Sequence, residues 1–177
     1  QLLQVGLTYS YKISEQFSIG FAPTFNYSSL ELAPNPLSSP STTLGYPVSD
    51  KASALGFGGQ FGIFYNSGKG IKLGASYKTP QTFGSFDFNN KYLDGTTAPN
   101  VKFKMNYPAI LSAGIGYSKN KIDAALDYRF VNYENTEGFK AKGWTNTASV
   151  AGFGWNNISI ISAGIQYKGI NKLPIRA

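Results

Sequence analysis

Residues Ala54–Pro80 read ALGFGGQFGIFYNSGKGIKLGASYKTP. Side chains on an extended chain alternate faces with period two. Leu55, Phe57, Gly59, Phe61, Ile63 and Tyr65 therefore share one face. Ala54, Gly56, Gly58, Gln60 and Gly62 share the other, small and polar, with Phe64 breaking the pattern. Asn66-Ser67-Gly68-Lys69-Gly70 makes a tight turn, and alternation resumes with Ile71, Leu73, Ala75 and Tyr77 opposite Lys72, Gly74, Ser76 and Lys78. This is a β-hairpin with one apolar and one wet face. Each arm has room for the roughly 9–11 residues that a tilted strand needs to cross a bilayer.

The unit repeats outward in both directions. Leu3, Val5, Leu7, Tyr9 and Tyr11 alternate with Gln4, Gly6, Thr8, Ser10 and Lys12. After a short turn, Phe17, Ile19, Phe21, Phe25 and Tyr27 alternate with small and polar residues, and Pro23 falls on the apolar face. Proline cannot donate a ladder hydrogen bond, so a bulge or kink is expected in that strand. A long irregular stretch, Ser28 to Ser53, precedes the central hairpin and carries Pro34, Pro36, Pro40 and Pro47. Beyond Pro80 the pattern weakens through Phe83, Phe86 and Phe88, and a loop spans Asn89 to Asn100. Strand patterns return over Val101–Met105, Ala109–Tyr117, Ile122–Phe130 and Ile161–Tyr167. A third long loop runs from Glu134 to Asn156, and a last short turn is expected over 168–172.

Composition fits this reading. The 177 residues include 13 Phe, 12 Tyr and 20 Gly, with only 14% charged. Mean hydropathy is −0.19, and no run approaches the roughly 18 apolar residues of a membrane helix. A membrane β-barrel tolerates such a value because only alternate residues need be apolar. The absence of Cys excludes disulfides, and the absence of His removes the commonest general base and metal ligand. The net charge of +7 comes from lysines scattered over turns and strand ends, without the basic helix of a nucleic-acid binder.

Connections alternate short and long, as in an up-and-down barrel of an outer membrane. A Gly-x-x-Tyr unit recurs at Gly6–Tyr9, Gly74–Tyr77, Gly114–Tyr117 and Gly164–Tyr167. Each Tyr is expected to end an apolar row at headgroup level, and each Gly to face a crowded lumen. The fold expected is all-β, an antiparallel up-and-down transmembrane barrel with about eight strands visible over residues 1–177. The bland alternative is a soluble β-sandwich binding module whose apolar rows meet a second sheet.

Candidate ligand-binding residues are those that break the pattern. Phe64, Ile110 and Ile160 put apolar groups on the wet face, where lumenal packing competes with a hydrophobic conduit. Asp123, Asp127 and Arg129 share the inward face of one strand; a lumenal charge ladder is favoured over acid–base work. Arg129 suits an anionic headgroup, with Lys72 and Lys78 as further candidates. The loops carry Leu30, Leu32, Leu37 and Leu44, then Trp144, Val150, Phe153 and Trp155. They either cap one another or form an external hydrophobic groove. No catalytic constellation, cofactor motif or metal set is present in the sequence.

Gly58–Tyr65 and Ile71–Pro80 together resemble a hairpin of the FadL-type outer-membrane transport family. Tyr107-Pro108-Ala109 leading into Ser112–Tyr117 is similar to another strand of that family. So are Gly154–Asn157 leading to Ser162–Tyr167, and Leu173–Ala177. The resemblance covers the chain from about Ser53 onward. It implies a fourteen-stranded monomeric barrel in the outer membrane of a Gram-negative bacterium, in contact with lipid and lipopolysaccharide. It further implies a lumen plugged by an N-terminal hatch. The hydrophobic cargo, a long-chain fatty acid or aromatic hydrocarbon, would leave sideways through a kinked strand. Against that pattern a hatch before Gln1 and terminal strands after Ala177 are missing, so residues 1–177 are expected to be one barrel domain or a segment of one. A FadL-like scaffold that anchors protein partners on its long loops is the alternative within the same fold.

Overall fold

The computed structural model describes residues 1–170, 173 and 175–177. The turn expected over 168–172 falls partly on residues 171 and 172, and Pro174 likewise lies outside the described residues. The strands are β1 (Leu2–Gly6), β2 (Tyr9–Lys12), β3 (Phe17–Leu30), β4 (Val48–Ser49), β5 (Ala52–Asn66), β6 (Ile71–Lys78), β7 (Thr82–Phe83) and β8 (Phe86–Lys91). They continue with β9 (Thr97–Phe103), β10 (Ala109–Lys119), β11 (Ile122–Asn132), β12 (Lys142–Trp144), β13 (Val150–Phe153), β14 (Ile158–Tyr167) and β15 (Ile175–Arg176). One antiparallel sheet forms the wall, in the order β1–β3–β5–β6–β10–β11–β14–β15, with β2 also on β3 and β7 also on β5.

The register keeps the apolar rows together. Phe21, Phe61, Tyr77, Leu111 and Phe130 lie side by side across five strands. The Phe21 and Phe61 rings stack at 4.7 Å. A cleft on the other face is lined from six strands, β2 to β11, so that face is concave and the apolar one convex. Large side chains on the convex face stay open: Leu55 and Ile161 are each 74% exposed and Phe25 70%. A sandwich would have buried them under a second sheet. Tyr77, Tyr117 and Tyr167 close their rows as expected, whereas Tyr9 opens β2 and Tyr11 follows within the same strand.

Pro23 acts on its neighbour rather than on its own strand. β3 runs unbroken and in register with β5 through the Pro23–Gly59 pair. The interruption falls at Leu7 and Thr8, between β1 and β2. The Pro23 carbonyl accepts a long 3.4 Å bond from Leu7 N, so its backbone polar groups point toward that strand. In an antiparallel hydrogen-bonded pair both bonds are exchanged; here the return bond to Leu7 O has no donor.

Short turns lie at one end of the wall. In the central hairpin, Gly68 N donates to Asn66 Oδ1, and Gly70 sits at φ +108°, where a Cβ would be 2.6 Å from Ser118 O. Long connections lie at the other end and fold on each other. Residues expected to continue the wall after Pro80 leave it: β8 and β9 pair with each other and with β4 as a separate small sheet. Asn35 Nδ2 donates to Asn90 Oδ1, Val150 N to Pro36 O and the Tyr46 hydroxyl to Ala148 O, tying all three connections into one cap. Leu37, Ala52, Ala54, Phe83, Phe86 and Phe88 are its buried core.

At the outer hairpin tip the Thr96 hydroxyl, then the Thr96 N–H, donate to Asp94 and hold its carboxyl below the usual carboxylate range. A depressed folded pKa gives stability that is present above the unfolded value and lost as pH falls through the folded one. The Thr96 amide proton resonance is therefore expected to titrate below the usual carboxylate range, and Asp94→Asn should abolish that step. A step at or above the usual carboxylate range would contradict the assignment.

Candidate functional site

Two regions hold the candidate residues, and they are built by different means. The first is the concave wall, where register alone brings residues together. Lys78, Ile110, Val131 and Ile158 form one row. The next row toward the turns is Ser76, Ser112, Arg129 and Ile160. Four of the sequence-derived candidates, Lys78, Ile110, Arg129 and Ile160, thus lie in two adjacent rows. Phe64 lies in the row below, beside Gly74, and helps line a cleft of about 610 Å³ floored by Gly20, Gly62, Gly74, Gly114 and Gly116. The absence of side chains at these glycines is what makes the cleft.

The charges behave differently from one another. Asp123 is engaged by Lys168 and by the Ser118 hydroxyl at the turn end, a single ion pair in place of the expected ladder through Asp127 and Arg129. Asp127 packs its carboxylate over Gly114. Among the described residues neither Arg129 nor Lys78 has a carboxylate within 4.0 Å. Lys78 Nζ donates to Gln4 Oε1 at 2.9 Å and stands 4.9 Å from the Tyr107 ring centroid.

Sequence reasoning missed Gln81. It sits between β6 and β7, where pairing with β5 shifts by one residue, from Gln60–Lys78 to Phe57–Thr82. That shift is a bulge that turns the side chain onto the concave face. There it is 1% exposed, lying over Gly58, where a Cβ would overlap its carboxamide. Phe83 fills the neighbouring notch over Gly56 in the same way, with its ring 2.6 Å from where a Cβ would stand. The available signal was the pair Gly56 and Gly58 on the wet face, which marks a close approach but not by whom.

The second region is the cap. Leu30 and Leu32 pack against its buried core, as Leu37 does within it. Phe153, Trp155, Tyr133, Phe139 and Phe103 form an aromatic cluster that joins this core through Phe103. Trp155 lies 5.1 Å from Tyr133 and 4.9 Å from Phe139, and Phe153 5.9 Å from Phe139 and 6.0 Å from Phe103. Trp155 remains 49% exposed at the edge of this cluster. Trp144 stands apart on β12, 65% exposed. Leu30, Leu32 and Leu37 thus help close the cap, while Trp144, Phe153 and Trp155 stay exposed on it.

An antiparallel wall with a lipid-matched outside, short turns at one end and a loop cap at the other is a transmembrane β-barrel wall. The chain belongs to the outer membrane protein transport protein family, OMPP1/FadL/TodX, which matches over residues 1–177. Members are outer-membrane transport proteins of Gram-negative bacteria, not enzymes. The toluene transporter TbuX of Ralstonia pickettii superposes with a TM-score of 0.68 at 20% identity, over 99% of this chain and 54% of that one. The Pseudomonas putida toluene transporter TodX gives 0.63 at 16%, over 99% and 53%. A Pseudomonas aeruginosa FadL homologue gives 0.64 at 15%, over 99% and 48%. The chain spans about half the length of these solved structures. No curated protein matches its sequence.

Proposed function

We propose that the protein containing this chain passes hydrophobic small molecules, long-chain fatty acids or similar, across the outer membrane by diffusion and without chemistry. The observation that carries the proposal is the open aromatic cluster around Trp155 on a cap whose own core is already closed by Leu37, Phe83, Phe86 and Phe88. An apolar surface that the fold does not need for its own packing is a capture surface. Below it, the Ile110–Ile160 stripe and Phe64 supply a partly apolar lumenal path, and the Leu7–Thr8 interruption supports a sideways exit into lipid. The toluene and FadL-type neighbours lend the cargo class, hydrophobic and small, to this proposal.

Titration calorimetry of the detergent-purified full-length protein with laurate and with toluene tests it. Saturable binding of at least one is expected. Trp155→Ala removes an aromatic wall worth about 1 kcal/mol beyond its buried area, so affinity should fall roughly five- to tenfold. A folded barrel that binds neither compound would remove the transport proposal. The scaffold alternative draws on Trp144 and on Leu93, 76% exposed at the outer hairpin tip. It predicts that Trp155→Ala is silent toward small molecules.

A further inference from the structure

We infer that Gln81 occupies a carboxylate-binding cradle with its own side-chain oxygen, and that the carboxylate of an amphipathic cargo takes its place. The inference rests on the transport proposal above and assigns the headgroup site within it.

Three side chains from two strands converge on Gln81 Oε1. Gln4 Nε2 donates at 3.1 Å, Thr24 Oγ1 at 2.5 Å and Asn26 Nδ2 at 2.9 Å. An amide oxygen offers two lone pairs to these three donors. A carboxylate offers two oxygens and about four acceptor sites, and bonds to an ionised acceptor are roughly twice as strong. The donor set therefore suits an anion better than the neutral group now in it.

A cation stands ready beside the cradle. Lys78 Nζ reaches the same Gln4 side chain, through Gln4 Oε1, and no described carboxylate offsets it. The acids on the concave face lie elsewhere: Asp123 is engaged by Lys168, and Asp127 sits in the Gly114 row nearer the turns. Lys78 and its half-buried row partner Ile110 stand at the head of an apolar row in which Val131 is already covered and Ile158 is open, so Ile110 and Ile158 are the members that offer an alkyl tail apolar surface on the headgroup's face. A neutral hydrocarbon gains nothing from the cradle.

Gln81 can yield the position without unravelling the wall. Its backbone is held independently, N to Tyr107 O at 3.0 Å and O to Tyr107 N at 3.1 Å. Beyond the cradle its side chain makes one further bond, Nε2 to Thr79 O at 2.8 Å. Rotation of the carboxamide out of the Gly58 notch exposes all three donors at once. Gln81 is on this account a specificity residue: it competes with the cargo headgroup and sets the preference between acids and hydrocarbons.

The test is calorimetry with laurate and toluene on the full-length protein in detergent, with folding checked by heat-modifiable migration. Gln81→Ala should bind laurate about tenfold more tightly, the equivalent of one recovered charged hydrogen bond, with toluene affinity unchanged. Adding Thr24→Val and Asn26→Leu to that variant should cancel the gain. Gln81→Ala that binds laurate no better than the parent, or gains equally for toluene, overturns the inference. If Gln81→Ala does not fold, Gln4→Met decides, because Gln4 lies at an exposed position. A fivefold or greater loss for laurate alone supports the cradle, and an unchanged laurate affinity overturns it. A parent protein that binds toluene but not laurate overturns the cradle and leaves the transport proposal standing; one that binds neither removes both.

Discussion

Leu126→Arg is expected to destabilise the folded protein by about 2–4 kcal/mol, the cost of a cation on the lipid face near the bilayer midplane. Leu126 lies near the middle of β11, on the convex face between Ile115 and Ala163, and is 49% exposed. Its neighbour Ala125 points to the concave face between Gly116 and Gly164 and lines the cleft. Ala125→Arg places the same charge one residue away with access to water, so little loss is expected. Urea titration of both variants folded into lipid vesicles measures the difference. Equal losses would mean that the convex face does not meet lipid. In a soluble sandwich the apolar row would also be intolerant, but it would be buried in the monomer; here it is open.

Gly58→Val is expected to cost roughly 3 kcal/mol or more, although valine is the better strand former. The added Cβ overlaps the Gln81 carboxamide. Overpacking of this kind costs about 1–3 kcal/mol. Displacing Gln81 also leaves the buried Thr24 and Asn26 donors without their acceptor, at about 1–3 kcal/mol for a group left unsatisfied. Gly62→Val is the control. It lies on the same face of the same strand, but the nearest atoms to its Cβ position are Ala75 O at 3.8 Å and Ser76 Cβ at 3.9 Å, ordinary contact. Its stability should change by less than about 0.5 kcal/mol, as for substitutions that disturb no packing. If both variants lose equally, strand glycines are needed for a reason other than the Gln81 and Phe83 notches.

The period-two pattern was enough for the wall because each strand carries its own face assignment, and neighbouring strands must align apolar with apolar to give one lipid surface. Phe21, Phe61, Tyr77, Leu111 and Phe130 could therefore be placed on one face before any pairing was known. The alternation of short and long connections followed from the same count. Phe83, Phe86 and Phe88 were less legible. Their alternation looks like wall, but it is satisfied inside the cap, since burial against Leu37 and Ala54 and burial in lipid write the same sequence pattern. The Pro23 effect shows a related limit. A proline announces a missing donor, but which neighbour loses the bond depends on the pairing phase, which placed the gap at Leu7 and Thr8.

For the site, the residue types were readable and their company was not. Lys78, Ile110, Arg129 and Ile160 stand out as apolar or cationic groups on a wet face, yet only register across three pairings puts them in adjacent rows. Gln81 itself carried no signal, because its role comes from a one-residue bulge and from the notch at Gly58 on another strand; Gly56 and Gly58 marked a close approach without naming what approaches. Local periodicity was sufficient for the class of fold, the membrane-facing rows and the ends at which turns and loops lie. Which leucines close the cap, which aromatic residues remain open, and which side chains converge on Gln81 became legible only in three dimensions. Those features depend on contacts between residues separated by tens of positions, and no local pattern encodes them.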